Sequence, residues 1–346
     1  MHNTLIVILN WNGSLDTVAC CQSLVMDDSC NADILVVDNG SDNADYDFLK
    51  ENIPGTIVIP SGYNDDTKVD ALFLSRVITD KFNYDTNIFL IRSSVNHGFA
   101  KGCNIGADYA ALMGYEYVMF LNNDTVVEPG FLEQLIVYLD KAKVDVVIPQ
   151  IRYFFDKTKI WNCGGKIDIF GRRKYHYSNQ DFSKVQKKPF KISFATGCCI
   201  LFRTDYFNKI GQFCEKFFFG EEDIDLSLRL LKLNSRVYCV PASVIYHKVG
   251  ASLVGDNDRL LNKAYIHYLN RFVNMKNHLH LIWWVWLLPS LFKVIVNVIK
   301  INKLDFIDAI FFAMKLVCEA RELDGVSKSK FEDVIINGYR SSHKKK

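Results

Sequence analysis

Two acidic clusters carry most of the chemistry legible in this sequence. In the first, the apolar run Tyr117–Leu121 delivers Asn122-Asn123-Asp124 to its end. One carboxylate, completed by water and phosphate oxygens, is the usual way to hold a hard divalent cation. The plainer reading is an acid that opens a turn ahead of Pro129. In the second, Gly220-Glu221-Glu222-Asp223-Ile224-Asp225 follows Phe217-Phe218-Phe219. It opens a stretch in which Leu226, Leu230 and Leu233 recur at helical spacing. Acids at a helix N-terminus are favoured by the macrodipole, so several of these carboxylates are expected to cap. An acid set beside aromatic rings is also a suitable general base for a bound hydroxyl group.

The elements that must position these clusters follow from short apolar runs. Leu5–Leu9, Asp33–Val37, Ile88–Ile91, Tyr117–Leu121 and Val144–Ile148 are rich in Val, Ile and Leu and too short for helices. Helical stretches at Leu15–Val25, Phe99–Met113 and Gly130–Lys141 lie between them. This alternation predicts an α/β fold around a doubly wound, mostly parallel sheet buried on both faces. Arg236–Val240 and Val244–Tyr246 read as two further strands, and Phe194–Phe202 as another apolar run. Residues 54–86 and 155–192 are polar and irregular; the first holds a short helix near Val69–Ile78, the second the basic stretch Arg172-Arg173-Lys174.

Ligands of parallel sheets bind at the carboxyl ends of the strands. The residues there are Asn10-Trp11-Asn12-Gly13, Asp38-Asn39-Gly40-Ser41-Asp42, Asn96-His97-Gly98-Phe99-Ala100-Lys101-Gly102 and Asn122-Asn123-Asp124. Any one of these loops is accounted for by turn and cap chemistry. Four on one edge read as a binding site. Asn10-Trp11-Asn12-Gly13 is neither Gly-x-Gly-x-x-Gly nor a Walker P-loop, which excludes the usual dinucleotide and nucleoside-triphosphate cradles. Gly98, Gly102 and Gly106 open a helix and permit close backbone approach to a ligand.

In their order along the chain, these motifs resemble a known family. Ile8-Leu9-Asn10-Trp11-Asn12, Val36-Val37-Asp38-Asn39-Gly40-Ser41 and Asn96-His97-Gly98-Phe99-Ala100-Lys101-Gly102-Cys103-Asn104 come first. Phe120-Leu121-Asn122-Asn123-Asp124, Thr196-Gly197-Cys198-Cys199, Glu222-Asp223-Ile224-Asp225 and Val244-Ile245-Tyr246-His247 complete the set. Together they resemble the inverting, nucleotide-sugar-dependent glycosyltransferases of family 2, with the GT-A fold, in the rhamnosyltransferase-like branch. The resemblance covers about residues 3–250 and divides the chain into a GT-A domain, 1–255, and a C-terminal helical region, 256–346. It implies a nucleotide-sugar site of Asn10, Asn12, Asp38, Ser41, Asn96, Gly98, Lys101, Asn122 and Asn123. It implies Mn²⁺ or Mg²⁺ held by Asp124 and His247, and Asp223 as the base that deprotonates the acceptor, with Glu222 and Asp225 next in line. Trp161 and Phe219 are expected to offer rings to an acceptor sugar. Asn122 stands where the family's signature has its first Asp, Gly211-Gln212-Phe213-Cys214-Glu215 replaces the family's Gly-Phe-Asp-Glu, and residues 54–86 are longer than the family spacing. A rival reading with the same fold is a catalytically silent sugar-nucleotide-binding scaffold subunit.

Composition bounds these readings. The 346 residues are 49% apolar and 23% charged, as in folded domains, and length alone suggests about two of them. A net charge of +2 gives no global basic field, so general nucleic-acid binding is excluded. The ten cysteines include the adjacent pairs Cys20-Cys21 and Cys198-Cys199 and no Cys-x-x-Cys spacing. Zinc sites use such paired spacings and neighbouring cysteines strain a disulfide, so reduced thiols in a cytoplasmic setting are expected. Leu5–Leu9 lacks a basic flank and reads as a first strand, not a leader.

Neutrality is an average over unlike parts. Residues 262–346 carry 14 Lys and Arg against 7 Asp and Glu, and three of the chain's five tryptophans fall within Leu281–Phe292. This run is too short to span a bilayer, which needs about 20 apolar residues. It reads either as a buried helix or as an interfacial element, which Trp beside Lys suits. The expected partners are a nucleoside-diphosphate sugar, a saccharide or lipid-linked acceptor, a membrane surface on the cytoplasmic face, and a second copy as a homodimer.

Overall fold

In a computed structural model, which describes residues 3–53, 56–59, 87–249 and 257–340, the first half of the chain winds alternately through strands and helices. The order is β1 (Thr4–Asn10), α1 (Ser14–Val25), β2 (Asp33–Asp38), α2 (Asn43–Asn52), β3 (Thr56–Ile59), β4 (Ile88–Arg92) and α3 (Phe99–Met113). Then come β5 (Tyr117–Asn122), β6 (Thr125–Val127), α4 (Phe131–Lys141) and β7 (Val146–Tyr153). A strand-rich excursion follows: β8 (Ile160–Asn162), β9 (Gly165–Ile167), β10 (Arg173–Tyr175), β11 (Phe190–Ile192) and β12 (Cys199–Arg203). The rest is α5 (Thr204–Lys209), α6 (Glu222–Lys232), β13 (Val237–His247) and four helices: α7 (Asn257–Leu279), α8 (Trp283–Lys300), α9 (Phe306–Glu322) and α10 (Lys328–Asn337).

Eleven of the described strands form one sheet, with the main order β11-β13-β7-β12-β5-β1-β2-β4-β3. From β5 to β3 every pairing is parallel, as the apolar runs require. Every residue of β2, and all of β1 except Leu9, is buried, because helices cover both faces. The other half is mixed: β12 runs antiparallel to both β5 and β7, and β11 antiparallel to β13. Of the apolar run Phe194–Phe202, only the part from Cys199 is strand, and Thr196–Cys198 is a loop.

Two further expectations change. Arg236–Val240 and Val244–Tyr246 are one strand, β13, interrupted by a bulge between Val240 and Val244 while it pairs with β7. Pro241 at that point lacks a ladder N–H, which a bulge accommodates. Helix α2 was not legible: only Tyr46 and Leu49 of it are buried, so it has almost no apolar periodicity. Its start is set by Asp42, whose carboxylate accepts the Asp45 N–H (2.9 Å). The helix expected near Val69–Ile78 lies outside the described residues.

The C-terminal helices do not stand apart. Tyr265, Leu269, Phe272 and Trp283 share a core with Ile224 and Leu228 of α6 and with Phe217 and Phe194. They therefore bury the outer face of the helix that carries the second acidic cluster. Trp283 is 1% exposed and its indole N–H donates to the Phe272 carbonyl (3.0 Å). Trp286 is half-buried, and Trp284 is 51% exposed. The Trp-rich run is thus divided between core and surface.

Candidate active site

At the carboxyl ends of the parallel strands, Asn10 is wholly buried and ties four elements together. Its amide nitrogen lies 3.0 Å from Asp38 Oδ1, 3.1 Å from Ser41 Oγ and 2.9 Å from Asp45 Oδ2, while its oxygen accepts the Thr17 hydroxyl (2.8 Å). Asn12, at a left-handed φ of 49°, donates its N–H to Ser41 Oγ (2.9 Å) and accepts the Asp42 N–H on its side chain (2.9 Å). Asp38 is also buried, and burial raises its pKa against the opposing bonds from Ser41 and Asn10. Its Oδ2 has no hydrogen-bond partner and sits 3.5 Å from Arg92 Nε. That oxygen is left without a hydrogen bond, beside the Arg92 guanidinium, while Asn10 bonds the other carboxylate oxygen.

The loop after β4 is braced by Asn39, a residue the site reading passed over. Its amide donates to Asn96 Oδ1 (3.0 Å) and to the Gly98 carbonyl (3.1 Å), and its oxygen accepts the His97 N–H (3.0 Å). Asn96 in turn accepts the Gly98 N–H (2.8 Å). Gly98, at φ 85°, has to be glycine: a methyl there would meet the Phe218 carbonyl oxygen. The loop after β4 therefore touches the Phe run that precedes the acidic cluster. Lys101 lies half-buried in the first turn of α3.

The Asp124 corner is built by strand pairing. β6 pairs antiparallel with β13 so that Thr125 stands opposite His247. This brings His247 Nε2 to 3.0 Å from Asp124 Oδ1. Yet Asp124 Oδ1 has no aligned hydrogen-bond donor, and His247 Nδ1 is likewise buried without a partner. A carboxylate oxygen and an imidazole nitrogen held this close are donor types that a divalent cation takes. Among the described residues no set of three His, Cys, Asp or Glu converges, so the remaining coordination would fall to phosphate oxygens and water. The neighbouring asparagines are engaged locally. Asn122 gives its carbonyl to the Thr125 hydroxyl (2.7 Å), and Asn123 donates to Thr17 Oγ1 (3.0 Å).

Trp161 links this corner to the second cluster. Its ring stands edge-on to His247 at 4.4 Å between centroids. It also lines a cavity of about 220 Å³ with Tyr153, Tyr175, Phe194, Thr196 and Asp223. Asp223 reaches this cavity because the chain turns sharply into α6: Gly220 has φ 92° and Glu221 φ 71°. A left-handed non-glycine residue costs about 1–2 kcal/mol. The buried Glu221 carboxylate is held in that conformation by Asn274 Nδ2 (2.9 Å) and Arg271 Nη1 (3.1 Å) from α7.

The carboxylates of this cluster are not equivalent. Burial pushes Asp223 up to about 6, with Arg173 opposing and Glu221 reinforcing the shift. Burial, then the Asp223 charge, raises Glu222 to about 8, and its Oε2 is buried and unpaired. Asp225 is locked between Arg229 Nε (2.8 Å) and His278 Nε2 (2.8 Å). Burial raises its pKa, but the His278 bond and the Arg229 charge hold it below the usual carboxylate value. Asp225 thus fastens α6 to α7 and is not joined to the Asp223 cavity. Phe219 is not brought there either: it is 58% exposed and packs against Phe331 of α10 (6.1 Å). Tyr153, Tyr175 and Phe194 take the place expected of it. No sequence signal marked them as site residues: Tyr153 ends β7, Tyr175 ends β10 within the irregular stretch, and Phe194 opens an apolar run.

The family model described as Glycosyl transferase family 2 matches residues 5–211, which span both the nucleotide-side edge and Asp124. The chain belongs to glycosyl transferase family 2. A second model, Glycosyl transferase family group 2, matches residues 117–318. A dTDP-rhamnosyl transferase of Shigella flexneri, RfbF, is 25% identical over 214 residues, covering 59% of this chain and 69% of that protein. The O-antigen biosynthesis protein RfbC of Myxococcus xanthus is 26% identical over 153 residues, 41% of this chain, but the match spans only 12% of RfbC. A crystal structure of GalNAc-T7 with UDP, GalNAc and Mn²⁺ shares the fold, with TM-score 0.55 and 13% identity, over 98% of this chain and 58% of that one. This family 2 chain accordingly has the GT-A fold, mixed α/β with an added C-terminal helical region.

Proposed function

We propose that this chain is an inverting, divalent-cation-dependent glycosyltransferase. It moves a sugar from a nucleoside-diphosphate sugar to a saccharide or lipid-linked acceptor in the synthesis of a surface polysaccharide or glycolipid. The observation that carries this reading is Asp223: a carboxyl with a raised pKa in an aromatic-walled cavity, one ring away from Asp124 and His247. Relatives named as a dTDP-rhamnosyl transferase and an O-antigen biosynthesis protein support the donor class and the process. Asp38 Oδ2 accepts an N–H from the nucleoside, and the Asn96–Gly98 loop and Lys101 lie along the nucleotide. The ring of Trp161 and those of Tyr153 and Tyr175 stack against the acceptor sugar. Asp223 takes the acceptor hydroxyl proton as that oxygen attacks C1 and the nucleoside diphosphate leaves, so one displacement inverts the anomeric centre. Asp124 and His247 would hold Mn²⁺ or Mg²⁺, which would supply positive charge against the departing diphosphate.

A thermal-shift panel of nucleoside-diphosphate sugars tests the donor side. One donor is expected to raise the melting midpoint in Mn²⁺, since a ligand that binds only the folded state stabilises it, and EDTA should remove most of that shift. A panel without any shift would overturn the reading. Donor hydrolysis that stops in EDTA separates the enzyme from a silent scaffold of the same fold.

The C-terminal helices support a position on the cytoplasmic face of a membrane. Leu281, just before α8, and Val285, Leu288 and Phe292 along its start recur at helical spacing and are 71–84% exposed. Ile307, Phe311 and Met314 continue an exposed apolar face on α9, and the exposed Lys293, Lys300 and Lys303 stand nearby. An apolar stripe flanked by lysines suits the headgroup region of an anionic bilayer. The full-length protein is expected to float with phosphatidylglycerol vesicles, and Leu288→Asp with Phe292→Asp to abolish this. A protein that stays in solution as a dimer, with the stripe covered by a second copy, would replace the membrane with that partner.

A further inference from the structure

A second cavity, of about 600 Å³, is lined by the strand, β10, whose Tyr175 also lines the cavity that holds Asp223. Its walls come from β9, β10, the turn between them and the end of β11, and they carry Lys166, Arg172, Arg173, Lys174 and Lys191. The single acid in the lining, Asp168, is already paired with Arg172 (2.8 Å) and accepts the N–H groups of Phe170 and Arg172. Lys166, Arg173, Lys174 and Lys191 form no ion pair among the described residues. Arg173 also faces the Asp223 charge, which leaves Lys166, Lys174 and Lys191 without a further acid in the lining; cations so gathered repel one another and focus a positive field into the concavity. A hairpin needs no such cluster for its fold, and a neutral saccharide needs none for its recognition.

The position of the groove narrows what it takes. Arg173 lines it, while Tyr175, two residues on and so on the same side of β10, lines the cavity with Asp223. The Arg173 guanidinium lies 5.7 Å from the Tyr175 ring centre and 5.6 Å from that of Phe194. At its other end, the turn after β9 is fastened to the C-terminal helices. The Trp286 indole N–H of α8 donates to the Phe170 carbonyl (3.0 Å), and Arg271 of α7 donates to the Gly171 carbonyl. The groove therefore runs between Asp223 and the helix that carries the exposed apolar stripe. The donor edge, at Asp38, Gly98 and Asp124, is built from other strands.

Resting on the glycosyltransferase reading, we propose that this groove is an anion subsite of the acceptor. It binds a phosphate group carried by the acceptor while Asp223 faces the acceptor hydroxyl. Arg and Lys are the residues that hold phosphate oxygens, Arg by paired N–H donors and Lys as a point charge.

The test uses the full chain in EDTA, which keeps the Asp124 corner from holding a phosphate through a cation. Binding of glucose 1-phosphate, inorganic phosphate and neutral methyl glucoside is followed by ligand-observed NMR. The two phosphates are expected to bind and the glucoside not to. Lys166→Glu with Lys191→Glu should weaken the phosphates by about tenfold or more, and the milder Lys→Gln pair by less. The unliganded melting midpoint of each variant reports that it folds. Phosphate binding that survives both double variants, or that is absent in the parent, overturns the subsite. Vesicles of phosphatidic acid, set against phosphatidylcholine, separate the two sources of the group. Retention on the first alone that the Glu pair abolishes puts the phosphate on a lipid, and binding of the soluble probes alone puts it on a saccharide; both sustain the proposal. A donor that still shifts the melting midpoint in Mn²⁺ while no phosphate binds in EDTA leaves the glycosyltransferase reading standing and sinks only the subsite.

Discussion

Asp223→Asn is expected to lower turnover by about 10²–10⁴-fold, the usual contribution of a positioned general base, and to leave donor binding in Mn²⁺ unchanged. The amide keeps the shape and cannot accept the acceptor proton. The parent enzyme carries a matching pH signature. Because Asp223 is pushed up to about 6, its basic form is lost as pH falls through that value, so kcat should drop on the acid side of about pH 6. The acid limb should vanish in the Asn variant. Near-normal turnover in Asp223→Asn would move the base elsewhere. Glu222 is a poorer candidate at neutral pH, since burial and the Asp223 charge raise it to about 8 and keep it largely protonated. Asp225 is poorer still, because Arg229 and His278 occupy both its oxygens.

Arg271→Ala is the second large effect, and it acts from a helix outside the GT-A sheet. Arg271 donates to the buried Glu221 carboxylate and to the Gly171 carbonyl, so it joins the turn before Asp223 to the hairpin that carries Arg173. Removing it leaves a buried carboxylate with Asn274 as its remaining partner. Breaking a buried ion pair by deleting one member costs about 3–5 kcal/mol. At roughly 2–4 °C per kcal/mol, the melting midpoint should fall by about 6–20 °C. At temperatures where the variant is folded, kcat should fall and the donor KM stay, because the donor edge lies on other strands. Arg271→Lys should restore part of the stability, as one ammonium reaches one of the two acceptors. A midpoint equal to the parent's would show that the turn is held without α7. The same bonds explain why the C-terminal helices belong to the catalytic unit: they contribute packing on α6 and the clamp on Glu221.

The nucleotide-side edge was legible because its cause is local. A short buried strand followed by Asn, Asp, Ser or Gly announces both the strand and its loop, and four such loops announce the edge on which they meet. Even there, the roles of individual residues were not local. The amide of Asn10, a residue that the resemblance sets at the nucleotide, is also engaged by Asp38, Ser41 and Asp45, 28–35 residues away. Asn39, which braces the Asn96 loop, bears nothing in its neighbourhood that distinguishes it from an ordinary turn residue. The acceptor side was much less legible. Phe219, expected to offer a ring to the acceptor, faces α10, and Phe217 joins the core shared with α7, because helices about 50–115 residues later supply an apolar surface.

The sequence by itself determined the alternation of strands and helices, the loops that end on one edge, and the arrival of Asp124 and Asp223 at element ends. Periodicity and capping act over a few residues, and they are written in neighbouring side chains. Only the tertiary structure decided which carboxylate stands free. The register of β6 on β13 sets His247 against Asp124, and His278, 53 residues from Asp225, removes that acid from the cavity. It also gathered Tyr153, Tyr175 and Phe194 around Asp223 and set a basic groove on the same hairpin. Such contacts are selected by packing between distant segments, where strand register and helix docking choose the partners and no local pattern records them.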